Sequence, residues 1–355
     1  MKIADQLAQP GVLAALGAAL LFGAGTPLAK LLLASINPWM LAGLLYLGSG
    51  LGMALYRWLA KAPAVRLLPQ DRVWLAGAVL SGGVVGPVLL MLGLSHMAAS
   101  QVSLLLNAEG VFTALLAWFA FKENFDKRIA LGMAAILAGA LVLSWPGEVS
   151  LSGFLPALAV LGACFAWGLD NNLTRKVALL DATWIASVKG LTAGSVNLML
   201  ALFVGAKGVT LPLLGGAMLV GFLSYGMSLA LFVVGLRHLG TARTGAYFSV
   251  APFIGAVLAL GMGEPVTVAL AVAAALMGFG VWLHLTESHE HLHTHAETDE
   301  HDHDHTHDAH HQHQHLHDSA QHAGNPDASH RHPHKHEPLA HSHPHFPDAH
   351  HRHDH

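Results

Sequence analysis

The sequence predicts an all-α integral membrane protein with ten transmembrane helices, arranged as two inverted five-helix repeats, and a disordered C-terminal tail. Three observations carry that prediction. The 355-residue chain is 53% hydrophobic and only 11% charged, whereas a soluble domain has about a quarter of its residues charged. Apolar runs long enough to cross a bilayer recur throughout residues 11–286. Polar character is concentrated at the end, where 25 of the 28 His follow Ser288. This composition excludes a soluble enzyme, a nucleic-acid binder and a disulfide-rich secreted domain. The formal charge of −4 is uninformative, because the two parts of the chain face different solvents.

A bilayer core of about 30 Å requires about 20 apolar residues at 1.5 Å each. That ruler marks spans at 11–33, 39–60, 73–95, 99–121, 128–145, 153–172, 182–205, 212–236, 243–262 and 266–286. Residues 1–10 form a short N-terminal segment, read as leading into a first membrane helix, since no small-residue cleavage site follows a short apolar core. Turn or charge signals separate the spans, among them Asn37-Pro38, Lys61 to Arg72, Lys122 to Arg128, Pro146-Gly147-Glu148, Arg175 to Asp181 and Gly263-Glu264-Pro265. Cys164, the one cysteine, rules out an internal disulfide and reads as a small buried apolar side chain.

Orientation follows from basic residues in the short loops. Lys2, Arg57, Lys61, Arg66, Arg72, Lys122, Lys127, Arg128, Arg175, Lys176, Arg237 and Arg243 collect on one side; Lys30 and Lys207 lie on the other. The basic side is the cytoplasmic one, so an even number of spans puts both termini in the cytoplasm of a bacterial inner membrane.

The second half echoes the first. Gly17, Leu28 and Trp39 recur as Gly162, Leu173 and Trp184; Gly93-Leu-Ser-His96 as Gly235-Leu-Arg-His238; Glu123 as Glu264; Gly139 as Gly280. The repeats therefore cover 11–145 and 153–286. Five spans per copy is odd, so the copies cross the membrane in opposite senses, an arrangement suited to alternating access at their interface. These features, with the segment Ala242-Arg-Thr-Gly-Ala-Tyr-Phe-Ser-Val-Ala-Pro-Phe-Ile-Gly-Ala256 and Glu264, resemble the EamA family of the drug/metabolite transporter superfamily. The His-rich tail resembles that of a bacterial subgroup of these carriers. The resemblance implies a ten-helix carrier whose central cavity is lined by both copies. The first copy departs from the pattern, with Glu109-Gly110 where the second has Ala251-Pro252.

Charge at membrane depth is costly, so its exceptions mark candidate substrate or coupling residues. Glu109 lies near the middle of span four beside Asn107, and the cost of charging a carboxyl there suits a protonatable coupling site. Lys189 either snorkels to the interface or pairs with Glu109, Asp170 or an anionic substrate group. Asp170, Asn171 and Asn172 stand in a row at the end of span six; they are either a helix end among headgroups or a polar vestibule. Pro27, Pro87 and Pro252 lie within spans and free backbone carbonyls that need partners. Gly82 and Gly86 permit close helix approach. His96, His238 and His284 read as interfacial, and Glu123 and Glu264 as caps or loop anchors.

The tail, 289–355, alternates His with acids, Ser and Pro and has almost no branched aliphatics, so it cannot bury a core. His289, His291, His293, His295, His301, His303, His305, His307, His310, His311, His313, His315 and His317 offer flexible imidazole pairs that can bind Zn, Ni or Cu. No cofactor is required, and the absence of a G-x-x-x-x-G-K-[ST] motif leaves a gradient as the energy source. The expected function is a secondary active transporter, in the exporting direction, of a small organic metabolite, with the bilayer and divalent metals as further partners. The alternative is efflux of Zn, Ni, Co or a metal complex, with the tail as chelator. An enzyme is not expected.

Overall fold

The computed structural model describes residues 10–121, 127–145, 151–177, 180–285, 290–295, 298–305, 330–336 and 339–344. The chain forms two compact units, Met1–Glu287 and Ser288–His355.

The first unit is helical. Its elements are α1 (Pro10–Leu33), α2 (Pro38–Leu59), α3 (Asp71–Ala78) continued by a π-helical turn (Val79–Val85) into α4 (Gly86–His96), α5 (Ala99–Leu105), α6 (Ala108–Phe121) and α7 (Lys127–Ser144). Then come α8 (Leu151–Arg175), α9 (Ala182–Phe203), α10 (Leu211–Gly221), a second π-helical turn (Phe222–Met227), α11 (Ser228–Phe248), α12 (Ala251–Gly261) and α13 (Val268–Leu285). Among the described residues, seven helical segments are long and apolar enough to cross a membrane, and the apolar helices Ala130–Ser144, Ala251–Gly261 and Val268–Leu283 are shorter. Large apolar side chains face outward along these helices, such as Leu13, Leu31, Leu55, Leu141, Leu202 and Val268, as lipid contact requires.

Helix starts follow local chemistry. Asn37 caps α2, its side chain accepting from the Trp39 amide at 3.0 Å, with Pro38 at the first position, where no amide is needed. Asp181 caps α9 by accepting from the Trp184 amide at 3.0 Å.

The main packing partners are α2 with α9, α7 with α13, α1 with α11 and α12, α8 with α4 and α6, and α5 with α12. Small residues make these contacts intimate, as they do where lipid supplies no hydrophobic drive between helices. Gly50 and Gly190 meet backbone to backbone between α2 and α9. A Cβ on Gly190 would come within 2.5 Å of the Gly50 nitrogen.

Two expectations change here. Span four is not one helix: it stops at Leu105 and restarts at Ala108. The loop expected at 237–242 is helical, and the interruption falls later, at Ser249–Val250. The Arg and His residues there signal polarity, but no proline stops the helix until Pro252, which sits in the first turn of α12 rather than inside a helix.

In the second unit the backbone forms β1 (Glu290–His295), β2 (Thr298–His305), β3 (His330–His336) and β4 (Leu339–Pro344). β1 pairs antiparallel with β4 and β2 with β3, with a register irregularity between Thr298 and His301. These strands lie within 289–355, the segment expected to be disordered. Strict alternation of side chains is compatible with an extended ladder, although a two-stranded ladder is marginal by itself in water.

Candidate functional site

The site is built around the first π-helical turn. The Gly86 amide donates to the Ser81 carbonyl, and Pro87 has no amide, so the carbonyls of Gly82 and Gly83 lose their usual helical donors. Side chains from other helices replace them. The Tyr46 hydroxyl and the Trp167 indole Nε1 both donate to the Gly82 oxygen, at 2.7 and 2.8 Å. The Asn197 amide donates to the Gly83 oxygen at 3.0 Å. The partners expected for carbonyls freed by proline are thus protein groups from α2, α8 and α9.

Glycine makes room for this arrangement. A Cβ at Gly82 would strike the Asp170 carboxylate, and one at Gly86 would lie 2.8 Å from Trp167 Nε1. Asp170 is 6% exposed. The Lys189 ammonium donates to both of its carboxylate oxygens, at 2.6 and 2.5 Å, and the Thr174 hydroxyl donates to it at 2.9 Å. Lys189 therefore pairs with Asp170 instead of snorkelling. Two buried opposite charges offset each other's desolvation only with close, well-satisfied geometry such as this.

The neighbouring residue points elsewhere. The Asn171 amide donates to Glu109 Oε1 at 3.0 Å and to the Thr113 hydroxyl at 3.1 Å. Asn172 turns into the α6–α8 contact, donating to the carbonyls of Thr113 at 3.1 Å and Gly168 at 2.8 Å. Asp170, Asn171 and Asn172 thus serve three different contacts, and α8 runs on to Arg175.

Glu109 lies in the first turn of α6, directly after the break in span four. A carboxylate there is favoured by the partial positive charge of a helix N-terminus. The break is held by Asn107, whose amide donates to the Leu104 carbonyl at 2.9 Å, and by the Cys164 thiol, 3.6 Å from the Leu105 carbonyl. Beside Glu109, a Cβ on Gly110 would have no other atom within 4 Å. Glu109 also lies within electrostatic range of Asp170 and Lys189. Glu109, Asn171, Asp170 and Lys189 thus form one connected group. Asn107 braces the helix break, Asn172 braces the α6–α8 contact, and Pro252 opens α12 after the second break. An aromatic group adjoins them: the Tyr46 and Tyr225 rings are 5.5 Å apart, Tyr225 is 6.0 Å from Phe22, and Phe22 is 5.4 Å from Phe248.

Two clamps lie outside this group. Glu264 accepts from the Ala99 amide at 2.6 Å and the Ser100 amide at 2.9 Å, capping α5 as expected of a cap. Lys30 donates to the Leu94 carbonyl at 2.7 Å at the other side of the same turn. Glu123, its partner in the repeat, lies outside the described residues. Arg57 pairs with Asp181 at 2.8 Å and also reaches the Thr183 hydroxyl at 2.7 Å and the Pro63 carbonyl at 2.7 Å. Burial opposes the charge on Asp181, but the Thr183 hydroxyl, the Trp184 amide and Arg57 hold its carboxyl below the usual value of 3.8. A lowered carboxyl pKa stabilises the fold above the unfolded-state value, and that stabilisation is lost as pH falls through the folded-state value. Asp181→Asn is expected to flatten the acid-side decline of the melting temperature; a decline equal to that of the wild type would remove Asp181 from it.

Reading residues alone missed Tyr46, Trp167 and Asn197. Asn197, an amide in the middle of span seven and fully buried, was the available signal. His96 is exposed at the end of α4, 2.7 Å from the Ser95 hydroxyl, in keeping with an interfacial residue. The tail histidines fall outside the residues whose side chains are described.

Known proteins resemble this chain along most of the helical unit. An uncharacterized transporter of Methanothermobacter thermautotrophicus is 28% identical over 269 residues, 70% of this chain and 78% of that protein. A probable amino-acid metabolite efflux pump of Salmonella typhimurium is 35% identical over 85 residues, 23% of this chain and 27% of the pump. A solved structure named only "Crystal structure of protein" shares the fold with a TM-score of 0.59 at 18% identity, over 76% of this chain and 94% of that one. The family model matching residues 9–145 is that of the EamA-like transporter family. The chain is thus a multi-pass membrane protein whose residues 9–145 match the model of the EamA-like transporter family.

Proposed function

We propose that the protein is a secondary active carrier that moves a small organic metabolite out of the cell across the bacterial inner membrane by alternating access. The observation that carries this reading is Glu109: a carboxylate directly after the break in a membrane helix, held by Asn171 and neighboured by the Asp170–Lys189 pair. Interrupted helices at corresponding positions of two halves are the mark of a midplane binding site.

Several correspondences support ten spans in two inverted repeats. Both interruptions occupy equivalent places, Leu106–Asn107 and Ser249–Val250. Both π-helical turns carry Leu-Ser-x-Gly, as Leu80-Ser81-Gly82-Gly83 and Leu223-Ser224-Tyr225-Gly226. The packing is unchanged in pattern when the halves are exchanged: α1 against α11 and α12 mirrors α8 against α4 and α6. Equivalent glycines make the mirrored contacts, Gly23 on Ala251 and Gly168 on Phe112 and Thr113. Basic loop residues on one side support cytoplasmic termini. The name of the Salmonella relative supports export.

In this reading the tail binds Zn, Ni or Cu in the cytoplasm and buffers or senses it. Among the described residues no group of three His, Cys, Asp or Glu stands ready to hold a metal ion, in line with an organic solute rather than a bare divalent ion as cargo. Deleting 289–355 separates the two readings. The carrier reading expects export of organic solute from cells to stay within about twofold of the full chain, with metal tolerance alone affected. Loss of all transport with the tail would favour metal efflux.

A further inference from the structure

We propose that the solute is carried as a cation, a compact organic ammonium with an apolar or aromatic body. This rests on the carrier reading and names the substrate class of the same site. Lys189 lies within electrostatic range of Glu109, and it is already neutralised by both oxygens of Asp170. It is not free to receive a substrate carboxylate. Glu109 accepts one amide hydrogen bond, from Asn171, and among the described residues no Lys or Arg stands within ion-pairing distance of it. The group Glu109, Asp170 and Lys189 thus carries a net charge of −1 when ionised.

The surroundings select the same sign. Glu109 is partly exposed and Asn171 exposed, beside the open space at Gly110. At membrane depth such groups need water or a polar ligand. Tyr46 binds the same Gly82 at which Asp170 packs. Its ring begins the run through Tyr225, Phe22 and Phe248. Aromatic faces attract cations and repel anions, while a carboxylate solute would meet Glu109 with like charge.

The test uses three probes of one shape: 2-phenylethylammonium, 3-phenylpropionate and phenylalanine. Each is added to the purified full chain in detergent while the melting temperature is recorded. The ammonium is expected to raise it at a concentration at least tenfold lower than 3-phenylpropionate, and Glu109→Gln to erase that preference. Competition among the probes on the wild type gives the same ranking without any variant. Equal or tighter binding of 3-phenylpropionate, or a shift from none of the three, overturns the assignment of sign. The carrier reading fails by a different result: no proton movement coupled to any solute in proteoliposomes, whatever the probes' ranking.

Discussion

Glu109→Gln is expected to reduce proton-coupled transport to the background of empty vesicles while leaving the protein folded. Glutamine keeps the size of the side chain and an oxygen for the Asn171 amide to bond, 3.0 Å away in the wild type. What is lost is the carboxylate charge and, with it, the ability to exchange a proton. The packing around the residue tolerates the change, because Glu109 is only partly buried. Reconstituted vesicles with an imposed pH gradient measure the effect, and the melting temperature of the variant serves as its control. Transport at the wild-type rate would remove Glu109 from the coupling step.

The second large effect concerns the Asp170–Lys189 pair. Asp170→Asn leaves the Lys189 ammonium, with 16% side-chain exposure, without its counter-charge. Losing one partner of a buried pair costs about 3–5 kcal/mol, mostly from the stranded charge. Lys189→Met strands Asp170 in the same way. The double variant Asp170→Asn/Lys189→Met removes both charges together and is expected to recover most of the lost stability. Melting temperatures of the four proteins close the cycle. Additive losses in the double variant would mean that the two residues do not act as a pair.

These results depend on features that were legible to different degrees. Glu109, Asp170 and Lys189 stand out because ionised groups are rare in an apolar run, so position alone selects them. Their pairing does not follow from position, since Lys189 could snorkel to the interface or meet Glu109, Asp170 or a substrate anion on sequence alone. The choice of Asp170 depends on Gly82, whose missing side chain lets the carboxylate settle against the π-helical turn. Tyr46 and Trp167 were invisible for a related reason. Pro87 announces that carbonyls upstream need donors, but only the packing of α2 and α8 against the turn decides which side chains supply them. The break at Leu106–Asn107 carries no proline, and it is braced by a local Asn107 bond and a distant thiol. In the second half, Arg237, His238 and Arg243 suggested a loop on polarity, whereas backbone continuity ran to Phe248.

Gly110 offers the most direct test of a crevice shared by two mirrored halves. Its surroundings leave room for a side chain, so Gly110→Cys can be introduced with Cys164→Ala removing the buried native thiol. A membrane-impermeant thiol reagent is then applied to right-side-out and to inverted vesicles. Alternating access predicts modification from both faces, with solute or pH shifting the balance between them. Modification from one face alone under every condition would contradict it.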